Sequence, residues 1–218
     1  MFGTFVISTL TLLTFAQSGV FEFYVDNKLI GKEEYTIQDR VIESNIELNN
    51  GYVFRQKTLF DVDGEPDTYV CEGIINKERV RLDIKRMNAK FAYVAESEKR
   101  GTEYFAVLTQ AERHIILDNY VASHFLSLIP RLNPGTKNEL KVFIPQDGKI
   151  KDVVVGPARR EKMIVDGKRI EVYHFVFKLK KYRTVDLWAA VSDGRFIKAE
   201  IRELKLKIIG SSPKKLQK

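Results

Sequence analysis

Between Asp118 and Arg131 the segment DNYVASHFLSLIPR places Val121, Phe125, Leu128 and Ile129 at i, i+4, i+7 and i+8. That is the spacing of one helix face, and apolar residues recur this way nowhere else in the chain. A helix over 118–130 is therefore expected, its start capped by Asp118 or Asn119 and its end enforced by Pro130, Pro134 and Gly135. At about twelve residues it would be roughly 18 Å long, enough to lie across one face of a sheet.

Nearly everything around that segment alternates with the period of two that marks strands. FEFYVDNKLIGKEEYTI reads as two strands around Asp26-Asn27, with Gly31 at a bulge or a close backbone approach. Asn49-Asn50-Gly51 and Asp63-Gly64 then supply the left-handed conformations of tight hairpins, the signature of a meander. ERVRLDIKRM puts Val80, Leu82 and Ile84 on one face, against Arg79, Arg81, Asp83 and Lys85 on the other. Residues 90–117 continue as strands, although Thr109 to Leu117 could equally begin a helical approach. Beyond Gly135, short strands are separated by Asp147-Gly148 and Gly156-Pro157.

In RIEVYHFVFKL, Tyr173, Phe175, Phe177 and Leu179 share a face, opposite Val172, His174 and Val176. Such a strand needs cover on each side or faces a cavity on one. The next strand sets Val185, Leu187, Ala189 and Val191 against Tyr182, Asp186 and Trp188, and turns at Asp193-Gly194. Its return changes parity between Ile201 and Leu204, which predicts a β-bulge at Arg202 or Glu203. The expected fold class is all-β, mainly antiparallel: a strongly curved sheet or unclosed barrel packed on one central helix.

The first 18 residues carry no charge, whereas 30% of the chain is charged, so composition changes abruptly at Gly19. Phe5 to Ala16 matches the apolar core of a signal peptide, and Ala16-Gln17-Ser18 offers small residues at −3 and −1 of a cleavage site. A short anchor or a buried first strand remain alternatives, because no basic residue precedes the apolar run. The organisation expected is a leader at 1–18, one β domain at 19–210, and a disordered basic tail at 211–218. Localisation would be periplasmic or secreted. One cysteine, Cys71, excludes an internal disulfide, and its apolar surroundings point to a buried thiol rather than a nucleophile.

The order of parts resembles an uncharacterised family of bacterial periplasmic proteins, a domain of unknown function whose fold is similar to that of Lol-type lipoprotein carriers. The resemblance is carried by FEFYVDNKLIG (Phe21 to Gly31), LIPRLNPG (Leu128 to Gly135) and VDLWAAVSDGRFIKAEI (Val185 to Ile201). It implies an unclosed antiparallel barrel wrapped around a helix, with an apolar hollow suited to acyl chains. It brings no catalytic residues.

Catalytic constellations are sparse. His114, His124 and His174 lack metal-ligand spacing, and there is no GxSxG, GxGxxG or phosphate loop. Glu33-Glu34 and Glu96 with Glu98 read as solvated turn or edge positions; neighbours on a strand point to opposite faces. No catalytic residue, metal ligand or cofactor is expected. With a net charge of +7, Arg159, Arg160 and Lys162, and Lys178, Lys180, Lys181 and Arg183, form a cationic rim for an anionic membrane surface, or merely solvated edges. The function expected is binding or carrying a lipid-like ligand between sheet and helix, through Val121, Phe125, Leu128, Tyr173, Phe175, Phe177 and Trp188. An envelope assembly factor using a sheet edge or basic surface is the alternative, and a hydrolase the third. Nucleic acid is not an expected partner.

Overall fold

The computed structural model describes residues 17–88, 90–108, 114–118, 121–145, 148–180, 183–211 and 214–215. Residues 1–16 of the expected leader, Asn119, residues 109–113, Asp147, Lys181 and Tyr182 lie outside the described residues, as do the side chains of Lys180 and Arg183.

Eight strands run as a meander: β1 (Gln17–Val25), β2 (Lys28–Gln38), β3 (Val41–Leu48), β4 (Val53–Phe60), β5 (Pro66–Ile75), β6 (Glu78–Met87), β7 (Lys90–Ser97) and β8 (Gly101–Leu108). After β9 (His114–Ile116) comes α1 (His124–Leu128), with a 3-10 turn at Ile129–Arg131. A second series follows: β10 (Asn138–Ile144), β11 (Lys149–Val155), β12 (Arg159–Val165), β13 (Lys168–Lys180), β14 (Arg183–Ala190), β15 (Phe196–Ile201), β16 (Leu206–Gly210) and β17 (Lys214–Lys215).

All of these strands join one sheet. The two series meet at β1, which pairs with β2 on one side and with β16 and β17 on the other, Phe21 opposite Gly210. Among the described residues the registered pairings are antiparallel except β9 with β10, where Lys141 lies opposite His114 in parallel. The sheet curls until β9 and β10 bring Ile116 and Phe143 against Tyr69, Ile84 and Phe91 of β5 to β7. Phe91 and Phe143 stack with ring centres 5.2 Å apart. The expected unclosed antiparallel sheet is therefore present.

The turns follow from backbone chemistry. Asp26 and Asn27 both have positive φ, at 48° and 61°, which gives the β1–β2 hairpin the twist of its strands. At Gly31 the requirement is space: a Cβ there would lie 2.3 Å from the Glu47 carbonyl oxygen of β3. Inward positions of β2 to β4 alternate strictly with exposed ones, as in Glu33, Tyr35 and Ile37 against Lys32, Glu34 and Thr36.

Three expectations are corrected. The helix is not 118–130 but five residues, His124–Leu128, followed by the 3-10 turn that Pro130 permits at its start. Val121, Phe125, Leu128 and Ile129 are nonetheless all buried, so their spacing recorded a buried side shared by a turn, a short helix and a 3-10 turn. Such a segment plugs the sheet at one point and is too short to be a central helix.

The parity change after Ile201 is not a bulge within one strand. Arg202–Leu204 form a 3-10 turn, Lys205 adopts φ 49°, and β16 folds back on β15 with Ile201 opposite Leu206. A tight connection and a bulge shift side-chain parity alike, which is why the pattern admitted both. Finally, the tail is not wholly without structure: Lys214 and Lys215 pair with Ser18 and Gln17, continuing the β1 ladder past the end of β16.

Candidate functional site

The curvature leaves a cavity of about 450 Å³ between the inner face of β1 to β4 and the α1–turn segment. Its walls are Phe21, Tyr35, Ile37, Ile42 and Phe60, its roof Leu126, Ile129 and Leu132, and Phe196 of β15 closes one side. The polar members of the lining, among them Gln17, Ser127, Arg131, Asp193, Arg195 and Ser211, are partly or fully exposed and mark the side open to solvent. Arg131 is anchored there: it donates to Glu65 at 2.9 Å and also to the Gly64 carbonyl.

A second, much smaller space of about 30 Å³ lies on the other side of α1, lined by Val121, Phe125, Leu179 and Ile201 among others. That is room for one small molecule of water size. Of the residues expected to bind a ligand, Val121 and Phe125 reach this small space. Leu128, Phe175 and Phe177 are fully packed in the main core, and Tyr173 is packed against it. None of the seven lines the larger cavity. Trp188 is not beneath the helix at all: strand alternation puts it on the outer face with Val172, Ala190 and Ile197. The wall residues Phe21, Tyr35, Ile37, Ile42 and Phe60 were legible as inward strand positions, but which strands the short helix covers was not.

A chain of buried polar groups ties that helix to the sheet. Glu33, expected at a solvated position, is 0% exposed. Its Oε2 accepts the Ala122 N–H at 2.5 Å, and its Oε1 accepts the Ser123 N–H at 3.2 Å. These are the amides of the N-cap residue and of the residue before it, so Glu33 holds the entry to a helix whose N-cap Ser123 makes no side-chain capping bond. Asp118 does not cap the helix; its carboxylate accepts the Tyr69 hydroxyl at 2.6 Å. Burial pushes Glu33 up to about 7, against the opposing pull of Ser123, Ser44 and the two amides. The Ser44 hydroxyl lies beside the carboxyl, buried and outside strict hydrogen-bond geometry with any partner.

From Ser123 the chain continues. Gln56 Nε2 donates to Ser123 Oγ at 3.2 Å, Thr58 Oγ1 donates to Gln56 Oε1 at 3.0 Å, and Thr58 Oγ1 lies 3.3 Å from His124 Nε2. His124 Nδ1 accepts the Asp118 N–H at 3.2 Å, which assigns the ring proton to Nε2 and the ring to its neutral form. Burial pushes His124 down to about 3. Next to this chain, burial pushes Tyr35 and Cys71 up to about 12, which keeps the thiol of Cys71, half-buried rather than fully buried as expected, protonated at neutral pH.

On the outer face His174 sits between two carboxylates, with Nδ1 2.7 Å from Glu161 and Nε2 2.8 Å from Asp186. The ring stacks on Trp188 at 4.3 Å, and Trp188 Nε1 donates to Glu161. Burial would raise Asp186, but Arg202 and His174 hold it below its ordinary value. Both ring nitrogens thus lie within hydrogen-bond distance of a carboxylate, which fixes the orientation of the ring. Among the described residues no group of three or more metal-ligating side chains converges, and no helix is long and apolar enough to cross a membrane.

Comparison with family models returns no match for this chain, and no curated protein sequence matches it.

Proposed function

We propose that this is an exported envelope protein that binds or carries an amphiphile with one acyl-like chain. The observation that carries the reading is the cavity of about 450 Å³ bounded by Phe21, Ile37, Ile42, Phe60, Leu126, Ile129 and Phe196. Its size falls within the roughly 300–1,000 Å³ of ligand pockets, and so does its character, apolar walls with a few polar groups at one side. Each methylene buried there is stabilised by about 0.8 kcal/mol, so a chain of about ten carbons offsets its ordering cost without any catalytic group. Arg131 and Arg195 beside Asp193 suit a polar head left at the solvent side. The uncharged stretch before Gly19 supports export. The commitment of His124 and His174 to buried or carboxylate partners supports binding over catalysis.

Native mass spectrometry of gently purified protein, with titration of a fluorescent fatty acid, tests this. Bound lipid or saturable uptake, reduced at least tenfold by Leu126→Trp, supports the reading. A ligand-free protein that ignores the probe removes it.

A further inference from the structure

Among the described residues the three most exposed large hydrophobic side chains are Ile164 at 78%, Val62 at 77% and Met87 at 58%. Apolar residues scattered singly over a surface need no explanation, but these three share one end of the sheet. Successive antiparallel strands reverse direction, so the β2–β3, β4–β5 and β6–β7 turns lie together at that end. Val62 is in the β4–β5 turn, and Met87 ends β6 opposite Lys90. Arg86 donates to the Asp61 carboxylate, which ties these two tips together. In the second series Ile164 lies opposite Arg169, and the Val191 N–H reaches the Glu171 carbonyl at 3.0 Å, so the β12–β13 tip projects on the same side as the β14–β15 turn. Gly64 of the β4–β5 turn, Gly194 of the β14–β15 turn and Gln17, opposite Ile37, all line the cavity. The exposed apolar tips therefore flank its mouth.

We propose that this end of the protein docks on a lipid bilayer, with Val62, Met87 and Ile164 entering the boundary between headgroups and acyl chains, so that the cavity opens toward the membrane. The purpose of the docking rests on the ligand reading above; the docking itself stands on the three tips.

A bilayer suits them better than a protein does. Val62 and Met87 stand on separate turns two strand spacings, about 10 Å, apart, and Ile164 lies across the mouth, so a rigid partner would need a fitted pocket for each. A fluid acyl boundary accepts each side chain where it lands. The uncharged residues before Gln17 join the domain at this same end. Charge decides the kind of surface. Arg86 pairs with Asp61, Arg131 with Glu65, and Arg195 lies 3.9 Å from Asp193. The other charges beside the tips are mixed in sign: Asp63 follows Val62, Lys90 faces Met87, and Asp166 shares its turn with Lys168 and Arg169. Attachment then depends on apolar insertion more than on anionic headgroups, and it resists salt. A chain leaving the bilayer reaches Phe21 and Ile37 without exposing its methylenes to water.

An environment-sensitive NBD label on a single cysteine tests this in the full chain, with Cys71→Ala throughout and the label at Val62→Cys, Ile164→Cys or, at the opposite end, the half-exposed Leu29→Cys. On phosphatidylcholine vesicles the labels at 62 and 164 should shift to the blue and be quenched at least twofold by nitroxide lipids, and the label at 29 should not respond. Raising salt from about 0.1 to 0.5 M should change the quenching less than threefold. Val62→Asp combined with Ile164→Asp should slow transfer of cis-parinaric acid from vesicles to protein at least tenfold, with less than a twofold change in affinity for the probe taken up from water. Labels at 62 and 164 that stay in water, equal quenching at 29, or a response confined to phosphatidylglycerol vesicles and abolished by salt overturns the docking. Tip-dependent self-association without vesicle contact overturns it as well. Absence of probe uptake in every protein would remove the ligand reading, while the label would still decide the docking.

Discussion

Glu33 lies 89 residues before Ala122, yet its Oε2 accepts the Ala122 N–H at 2.5 Å. A strand therefore fixes the entry to a helix whose own N-cap side chain makes no capping bond. Because desolvation outweighs the hydrogen bonds, Glu33 titrates near 7 when folded, against 4.5 in the unfolded chain. A carboxyl raised in this way contributes stability that is fully present below about 4.5 and lost as pH rises through about 7.

Glu33→Gln should accordingly stabilise the protein at pH 8 by about 1–3 kcal/mol, since the amide keeps one acceptor and escapes the cost of burying charge. Urea unfolding at pH 8 checks this. A loss of more than about 1 kcal/mol would show that the carboxylate, not the acid, is the favoured buried form.

Thr58→Val should cost about 1–3 kcal/mol at pH 7, because it strands the His124 Nε2–H and removes a donor from Gln56 Oε1 at one stroke. Thermal unfolding of the variant measures the effect. A neutral result would mean that water replaces the hydroxyl.

Gly31→Ala should destabilise by about 1–3 kcal/mol through the contact with the Glu47 carbonyl oxygen, since neither strand of the β2–β3 pair can shift alone. Gly167→Ala at the β12–β13 turn is a useful contrast: it meets nothing within 4 Å but has φ +73°, so its cost, about 0.5–2 kcal/mol, comes from backbone strain. Denaturation midpoints that rank the two positions the other way would contradict the packing at Gly31.

Phe177→Ala should lower stability by about 3–5 kcal/mol, as a fully buried core ring. Leu126→Trp should fill the cavity from its partly exposed roof position with less than about 1.5 kcal/mol of cost while reducing probe affinity at least tenfold. Comparing melting temperature with fatty-acid titration for both variants separates core from site. Equal losses of uptake and stability in Leu126→Trp would place the ligand elsewhere.

Strand periodicity made most of the fold legible. The turns at Asp26-Asn27, Gly51, Gly64 and Gly194 need backbone conformations that few residues adopt, so they stand out in sequence. The face shared by Phe175 and Phe177 followed from alternation alone. Helix length was not legible, because a turn and a 3-10 turn presented the same spacing on both sides of five helical residues. Glu33 was missed although a signal existed: its parity matches that of Tyr35 and Ile37, both buried. What alternation could not convey was the acceptor that the helix start needed, since the donors lie on another element. The cavity wall was misplaced for a similar reason; which strands meet a roof depends on how far the sheet curls.

The seam at β1 bears on how the chain comes to be folded. Val20 and Ser211, 191 residues apart, are joined there by a hydrogen bond, so the first strand waits for its second neighbour until almost the entire polypeptide has been made. Non-local closure of this kind is slow. A nascent chain that halts or is clipped before β16 would carry β1 as a bare ladder edge, with Phe21 and Phe23 uncovered, the species most apt to associate with its own kind.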